Sequence, residues 1–304
     1  MGMFINGQWN IEEVNPKTDS GAFNRLPTTF RHKISTQSKF SPEKNRYHLI
    51  VSYACPWAHR TLIFRKIKDL TNFIPISVVN PYMMDYGWDF KTYEGVIKPS
   101  FEKVDRLGDL YVISDSSFTG RVTVPVLWDL KTRQIVNNES SEIIRMFNSA
   151  FNDLTGNSID LYPTHLQSQI DEWNDQIYHR INNGVYKAGF ARSQEVYELA
   201  VSEIFELLDK IDNHLISNDY LCGSILTEAD IRLFVTLLRF DPVYVGHFKC
   251  NIRRIKDYKS LTRYIDNVRN YYDIEDTINL HHIKHHYYGS HDTLNPSRIV
   301  PIGP

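Results

Sequence analysis

The chain has 304 residues, enough for two domains of ordinary size, and 42% hydrophobic with 23% charged residues excludes a disordered, collagen-like or low-complexity chain. Lys and Arg number 34 against 36 Asp and Glu, a net charge of −2 that offers no basic surface to nucleic acid or anionic lipid. The three cysteines, Cys55, Cys222 and Cys250, are too few and too scattered for a disulfide framework and fit a reducing compartment, where one can be kept for its reactivity. No apolar run approaches the roughly 18 residues of a membrane-spanning helix. Met1 to Asn10 lacks the basic-then-apolar order of a secretory signal. A cytoplasmic protein without membrane association is the expectation.

In chain order, residues 1–45 are polar and irregular, punctuated by Pro16, Pro27 and Pro42, and read as an ordered extension rather than a domain. From Arg46 to Tyr53 the composition turns β-rich. The run breaks at Ala54-Cys55-Pro56, and Ala58, Leu62, Ile63, Ile67 and Leu70 then follow helical spacing. Pro56 suits the first helical position, where an N–H would have no partner. A short strand follows at Ile74–Val79. Residues 80–120 carry Tyr82, Tyr86, Trp88, Phe90 and Tyr93 with weak periodicity and read as a loop insertion. Strands follow at Val122–Trp128 and Gln134–Val136, joined by a hairpin turn. Asn138-Glu139-Ser140 then opens a helix with Ile143, Ile144, Phe147 and Phe151 on one face. The predicted order is β-α-β-β-β-α. Beyond about residue 155 strand signals vanish. Val196, Leu199, Ala200, Ile204, Leu207, Leu208, Ile211 and Leu215 mark an amphipathic helix. Thr227 to Asp230 resembles a capping box before another, a further helix is predicted near 258–272, and the tail from Gly289 reads as coil.

Cys55 stands at a strand-to-helix junction. Helix-terminal N–H groups and the positive end of the dipole there favour a thiolate. A dithiol redox protein would carry a second cysteine at position 58, which is alanine, so a mixed disulfide at Cys55 needs an external thiol to resolve it. The bland reading, a buried cysteine packing as a small hydrophobe, holds for Cys222 and Cys250, which lack this context. Pro125 cannot donate to a ladder, which leaves the Val124 backbone for an extended peptide ligand. Ser140 with the helix N–H groups suits a peptide carboxylate, and Glu139 an ammonium. Taken singly, each of these is also an ordinary turn proline or helix cap.

Together these residues resemble a glutathione transferase: a thioredoxin-like N-terminal domain, α/β in class, joined to an all-α C-terminal domain. Longer strings narrow the resemblance: Tyr53-Ala54-Cys55-Pro56-Trp57-Ala58-His59-Arg60, Gly87-Trp88-Asp89-Phe90, Arg121 through Asp129, Asn138-Glu139-Ser140-Ser141, Asn182 through Ala191, and His286 through His291 with Asn295-Pro296. They are similar to those of the glutathionyl-hydroquinone reductases, also called Xi-class glutathione transferases, which are related to the omega class. The resemblance implies an extension over 1–45, a glutathione-binding domain over 46–155 and a helical domain with C-terminal coil over 156–304. It also implies a homodimer.

The activity implied is removal of glutathione from glutathionylated hydroquinones. Cys55 is the implied nucleophile and glutathione the co-substrate. Tyr186 is the implied proton donor to the ring carbon, and Tyr244 and Tyr287 point hydroxyls at the Cys55 sulfur, which lowers a thiol pKa. Trp88, Arg121, Val122, Thr123, Val124, Glu139 and Ser140 are the implied glutathione contacts. Two other readings stand beside it: an omega-like thioltransferase or dehydroascorbate reductase, which needs the cysteine but not the tyrosines, and a non-catalytic glutathione-binding scaffold. His281, His282, His285 and His286 have the i, i+4 spacing of a zinc helix, but no cysteine or carboxylate close in sequence completes a site. They read as a polar helix end, and no metal is expected.

Overall fold

Two short strands, β1 (Met3–Ile5) and β2 (Gln8–Asn10), pair antiparallel across a turn in which Asn6 and Gly7 both have positive φ. The computed structural model describes residues 2–11 and 28–303. Pro16 and Pro27 of the expected extension lie outside the described residues. A central sheet follows, built from β3 (Tyr47–Val51), β4 (Ile76–Val78), β5 (Val126–Asp129) and β6 (Gln134–Asn137) in the order β4-β3-β5-β6. β3 and β4 are parallel, and the other pairs are antiparallel. All five residues of β3 are buried, as the apolar run Leu49-Ile50-Val51 requires of a strand covered on both faces.

Helix α1 (Pro56–Ile67) connects β3 to β4, and α2 (Leu107–Ser114) connects β4 to β5. α3 (Ser140–Ser149) follows β6, with Ile143, Ile144 and Phe147 fully buried, and the single turn α4 (Asn152–Thr155) comes next. The order is therefore β-α-β-α-β-β-α, a thioredoxin-like domain. It corrects the sequence reading at two places. The loop insertion holds α2, whose buried face of Leu107, Leu110 and Tyr111 is short and opens on Arg106 instead of a Ser, Thr, Asp or Asn cap. The strand read from Val122 starts at Val126, after a cis Val124–Pro125 peptide.

The described residues divide into two compact units, residues 2–11, 28–159 and 277–292 in the first, 160–276 and 293–303 in the second. The second is helical: α5 (Gln167–Ile177), α6 (Gly184–Gly189), α7 (Gln194–His214), α8 (Glu228–Arg239) and α9 (Lys259–Asn270). A buried capping box starts α8. The buried Asp230 carboxylate accepts from the backbone N–H groups of Thr227 and Leu221, both at 2.8 Å, and from the Thr227 and Tyr264 hydroxyls at 2.9 and 3.2 Å. The last helix, α10 (Leu280–Ser290), belongs to the first unit. Among the described residues no helix is long and apolar enough to cross a membrane.

His48, on the central strand, bonds the Ser77 hydroxyl at 2.8 Å, and burial pushes its pKa down to about 4. An unfolded histidine titrates near about 6.5, so between those values only the unfolded chain takes up this proton, and acidification through the window removes stability. A His48→Gln variant has no such proton to take up. Its stability deficit relative to wild type, measured by urea titration, should shrink as pH falls from 6.5 to 4 (roughly the interval between those two pKa values). A deficit that stays constant with pH contradicts this assignment.

Candidate active site

The strand-to-helix turn after β3 presents Cys55. It is the N-cap of α1, its backbone extended at φ −75° and ψ 121°, with Pro56 in the first turn and no acidic residue there. Cys55 thus stands at the positive end of α1, with no carboxylate on that turn to oppose a negative charge. Its N–H donates to Ser52 O at 3.2 Å, and the Cys55 carbonyl receives His59 N–H at 3.0 Å, which fixes the turn. Arg60, nearly fully buried, lies 4.5 Å over the Trp57 ring and adds a fixed positive charge to the helix. Cys55 is half-buried, whereas Cys222 and Cys250 are buried. Burial pushes the Cys222 thiol up to about 11 and the Cys250 thiol up to about 12, so both stay protonated at neutral pH.

The Cys55 Sγ stands 3.7 Å from the Val124 carbonyl, which places the segment before β5 directly against the thiol. Arg121 and Thr123 are half-buried on that segment, and Val122 and Val124 are buried. Next to it lies the start of α3. Glu139 is its N-cap, one carboxylate oxygen accepting from the Ser141 N–H at 3.1 Å and the Ser141 hydroxyl at 3.0 Å. The Ser140 hydroxyl is buried with no partner among the described residues, an arrangement that protein interiors rarely leave unless a ligand or water completes it.

Tyr111 of α2 joins these two segments. Its hydroxyl donates to Thr123 O at 2.7 Å and accepts from Thr123 N–H at 3.1 Å and Asn138 Nδ2 at 3.2 Å. Burial raises its pKa, which keeps the phenol protonated as the donor to that carbonyl. Sequence reasoning missed this residue. The signal available was the spacing of Leu107, Leu110 and Tyr111, obscured by Gly108 and the surrounding aromatics.

Trp88 is buried and stacks on His286 of α10, ring centres 4.8 Å apart and planes 26° apart. His286 is held in turn by Pro81 O at 2.8 Å. The neighbouring histidines are likewise engaged: His282 donates to Glu94 O at 2.6 Å, His281 meets the Tyr93 hydroxyl at 2.7 Å, and His285 meets His281 O at 2.8 Å. His282 and His286 are buried, which corrects the reading of a polar helix end: the cluster docks α10 onto residues 80–97. Tyr287, one residue on, is also buried in this unit.

Tyr186 and Tyr244 belong to the helical unit. Tyr186 lies on α6, and Tyr244 closes a π-helical turn, Phe240–Tyr244. Their ring centres are 6.3 Å apart and both pack on Phe248, each with centres at 5.4 Å. Gly189 is needed here, since a Cβ on it would sit 2.4 Å from the Phe248 ring. The structure thus groups Cys55, Trp88, residues 121–124, Glu139, Ser140 and Tyr287 in the first unit, and Tyr186 with Tyr244 in the second.

This combination of a thioredoxin-like unit with an N-terminal-helix cysteine and a helical unit defines a glutathione transferase. The glutathione S-transferase N-terminal domain pattern matches residues 54–150, and the C-terminal domain pattern matches residues 194–267. Glutathionyl-hydroquinone reductase YqjG of Escherichia coli is 49% identical, with all of this chain and 95% of the relative covered. Glutathionyl-hydroquinone reductase PcpF of Sphingobium chlorophenolicum is 46% identical over all of this chain and 96% of its own. The crystal structure of the Xi glutathione transferase of Phanerochaete chrysosporium superposes with a TM-score of 0.92 at 52% identity, covering 94% of each chain. A glutathione-bound structure of YqjG matches with a TM-score of 0.88 at 50% identity, over 90% of this chain and 92% of that one. The chain belongs to the Xi class of glutathione transferases, the family of the glutathionyl-hydroquinone reductases.

Removing the Tyr111 hydroxyl takes a partner from both backbone groups of Thr123 and leaves Asn138 Nδ2 only a long 3.5 Å contact to the Thr123 hydroxyl. Tyr111→Phe should cost about 2 kcal/mol or more, at roughly 1–3 kcal/mol for each buried group left without a partner. Urea unfolding measures it, and a loss under about 0.5 kcal/mol contradicts the bridging role assigned to this hydroxyl.

Proposed function

We propose that this protein is a glutathione-dependent reductase that converts glutathionyl-hydroquinones to hydroquinones. The observation that carries the reading is Cys55: a half-buried thiol at a helix N-terminus, 3.7 Å from the Val124 carbonyl, with alanine where a resolving cysteine would stand. The relatives named for this reaction support it, as does the relative crystallised with glutathione.

The Cys55 thiolate attacks the glutathione sulfur of the substrate. A sulfur–sulfur bond forms while the bond from sulfur to the ring carbon breaks, and the electron pair stays on that carbon. Tyr186 supplies the proton it takes up, leaving hydroquinone and a Cys55–glutathione mixed disulfide. A second glutathione, as thiolate, attacks the glutathione sulfur of that disulfide, releases oxidised glutathione and restores the Cys55 thiolate. One thioether sulfur and one thiol sulfur each lose one electron in forming the disulfide, the ring carbon gains two, and the proton given up by the second glutathione restores Tyr186, so atoms and electrons balance. Tyr244 and Tyr287 orient hydroxyls to the thiolate and favour its charged form.

Glutathione is held by Trp88, Arg121, Val122, Thr123, Val124, Glu139 and Ser140. The buried Ser140 hydroxyl at the start of α3, without a partner among the described residues, suits a glutathione carboxylate, with the helix N–H groups beside it. Glu139 keeps acceptor capacity for the ammonium. The aromatic residues around Tyr186 and Tyr244 suit the hydroquinone ring. The division of labour follows an extension over 1–45, a glutathione-binding domain over 46–155 and a helical domain over 156–304 whose residues 277–292 return to the first unit, acting in the cytoplasm as a homodimer. Light scattering that returns a monomer mass at micromolar concentration removes the dimer from this reading.

Release of hydroquinone from a glutathionylated benzohydroquinone tests the chemistry. Cys55→Ala should fall to background. Tyr186→Phe should lose roughly a hundredfold or more in kcat, the usual worth of a general acid. The same variant should reduce a glutathione mixed disulfide at close to the wild-type rate, because a sulfur leaving group needs no proton on carbon. Full activity in Cys55→Ala contradicts the mechanism. A silent Tyr186→Phe favours the omega-like thioltransferase, and a wild type inert to both substrates leaves a non-catalytic scaffold.

A further inference from the structure

The residues proposed to hold glutathione come from three separate stretches, at Trp88, at 121–124 and at 139–140, and each is gripped at its flank by the N-terminal extension. At the first, the Trp9 indole N–H donates to Asp85 O at 3.1 Å. The Trp9 ring lies so close to Gly87 that a Cβ there would be 3.1 Å from it, and Gly87 directly precedes Trp88 at φ +76°. At the second, Phe4 and Gly120 exchange backbone hydrogen bonds of 2.9 and 3.0 Å immediately before Arg121. Asn6 N–H adds a bond of 2.9 Å to the Thr119 hydroxyl, and Gly7 N–H one of 3.0 Å to Phe118 O. At the third, Phe30 donates its N–H to Asn138 Oδ1 and accepts from Asn138 N–H, both at 3.1 Å. The Thr28 hydroxyl donates to Glu139 Oε2 at 3.3 Å. Arg31 completes the grip with two bonds to Glu142, at 2.6 and 2.8 Å.

The grips are linked to one another. Phe4 meets Trp9 edge-on at 5.1 Å and Phe118 at 6.1 Å, and Phe30 packs on Phe118 and on Tyr111, each at 5.7 Å. A strand edge is covered as well: His32 N–H bonds Val136 O at 2.9 Å, and Arg31 pairs with Asn137, so residues 30–32 add to the outer edge of β6. An extension serving only to cover that edge has no need of contacts beside Trp88, Arg121 and Glu139.

We propose that residues 2–11 and 28–32 form a positioning segment for the glutathione site, setting the spacing of Trp88, Arg121 and Glu139 without touching the tripeptide. The inference rests on the glutathione reading given above. A site built from three stretches binds a small peptide tightly only when their relative positions are fixed before binding, since ordering them at binding costs affinity.

The test uses full-length Trp9→Phe and Thr28→Val, their double variant, the conservative Thr28→Ser, and Gln37→Ala on the exposed part of the extension as a control. Calorimetry gives the glutathione dissociation constant, steady-state kinetics give kcat and KM, and thermal melts give Tm. Trp9→Phe and Thr28→Val should each raise the glutathione Kd and KM roughly threefold to tenfold, the worth of one hydrogen bond, with kcat within about twofold of wild type. The double variant should show the product of the two factors, since the sites share no partner. Thr28→Ser and Gln37→Ala should bind as wild type does. Unchanged Kd and KM in both variants, with or without a lower Tm, overturns the positioning role and leaves the extension a stabilising element. Wild-type protein that fails to bind glutathione overturns the functional reading and this inference together, and the wild-type titration alone distinguishes that case.

Discussion

The turn that ends β3 and begins α1 is the constraint on which the rest of this structure depends. The strand is buried along its whole length, so the chain must leave the sheet at its end, and Pro56 starts a helix there with Cys55 as its cap. That single junction fixes the thiol at the positive end of a helix and 3.7 Å from the Val124 carbonyl. The contrast with Cys222 and Cys250 is one of environment: burial holds those two as thiols, while Cys55 is half-buried and keeps access to solvent.

Around this junction, glutathione-contact candidates far apart in sequence are brought together by polar groups with few alternatives. The Tyr111 hydroxyl ties Thr123 to Asn138, the histidines of α10 tie residues 80–97 to the last helix of the unit, and the N-terminal extension reaches the stretches beside Trp88, Arg121 and Glu139. Buried hydrogen bonds of this kind contribute modestly when made and cost more when one partner is removed, which makes them effective at fixing geometry. The aromatic packing of Tyr186 and Tyr244 on Phe248 serves the same end in the helical unit, where Gly189 admits the Phe248 ring.

Much of this was legible in the sequence where local signals were strong. β3, α1 and α3 follow from β-rich composition, Pro at the first helical position and a cap before an apolar run. The amphipathic spacing of Val196 to Leu215 foretold α7, and Thr227 with Asp230 foretold the start of α8. Assigning Cys55 and Val124 to one glutathione site required the resemblance to a family, and their 3.7 Å contact, across 69 residues, was visible only in the structure. Helix α2 escaped because its apolar face is two turns long and its cap is Arg106. The role of the extension escaped for a different reason. Thr28 and Glu139 are 111 residues apart, and Trp9 and Asp85 are 76 apart, so no periodicity within the extension records what it touches. His282 and His286 looked solvent-facing because histidine pairs at i, i+4 carry no sign of whether backbone carbonyls will meet their ring nitrogens.

The central claim is that Cys55 takes glutathione from the substrate as a mixed disulfide. Intact-mass and peptide spectrometry of wild-type protein, mixed with a glutathionylated hydroquinone in the absence of other thiols, tests it most directly. The account predicts one glutathione per chain, attached at Cys55, with an equal amount of hydroquinone released and full reversal on adding glutathione. Hydroquinone release without an adduct, or an adduct on Cys222 or Cys250 in its place, would contradict it.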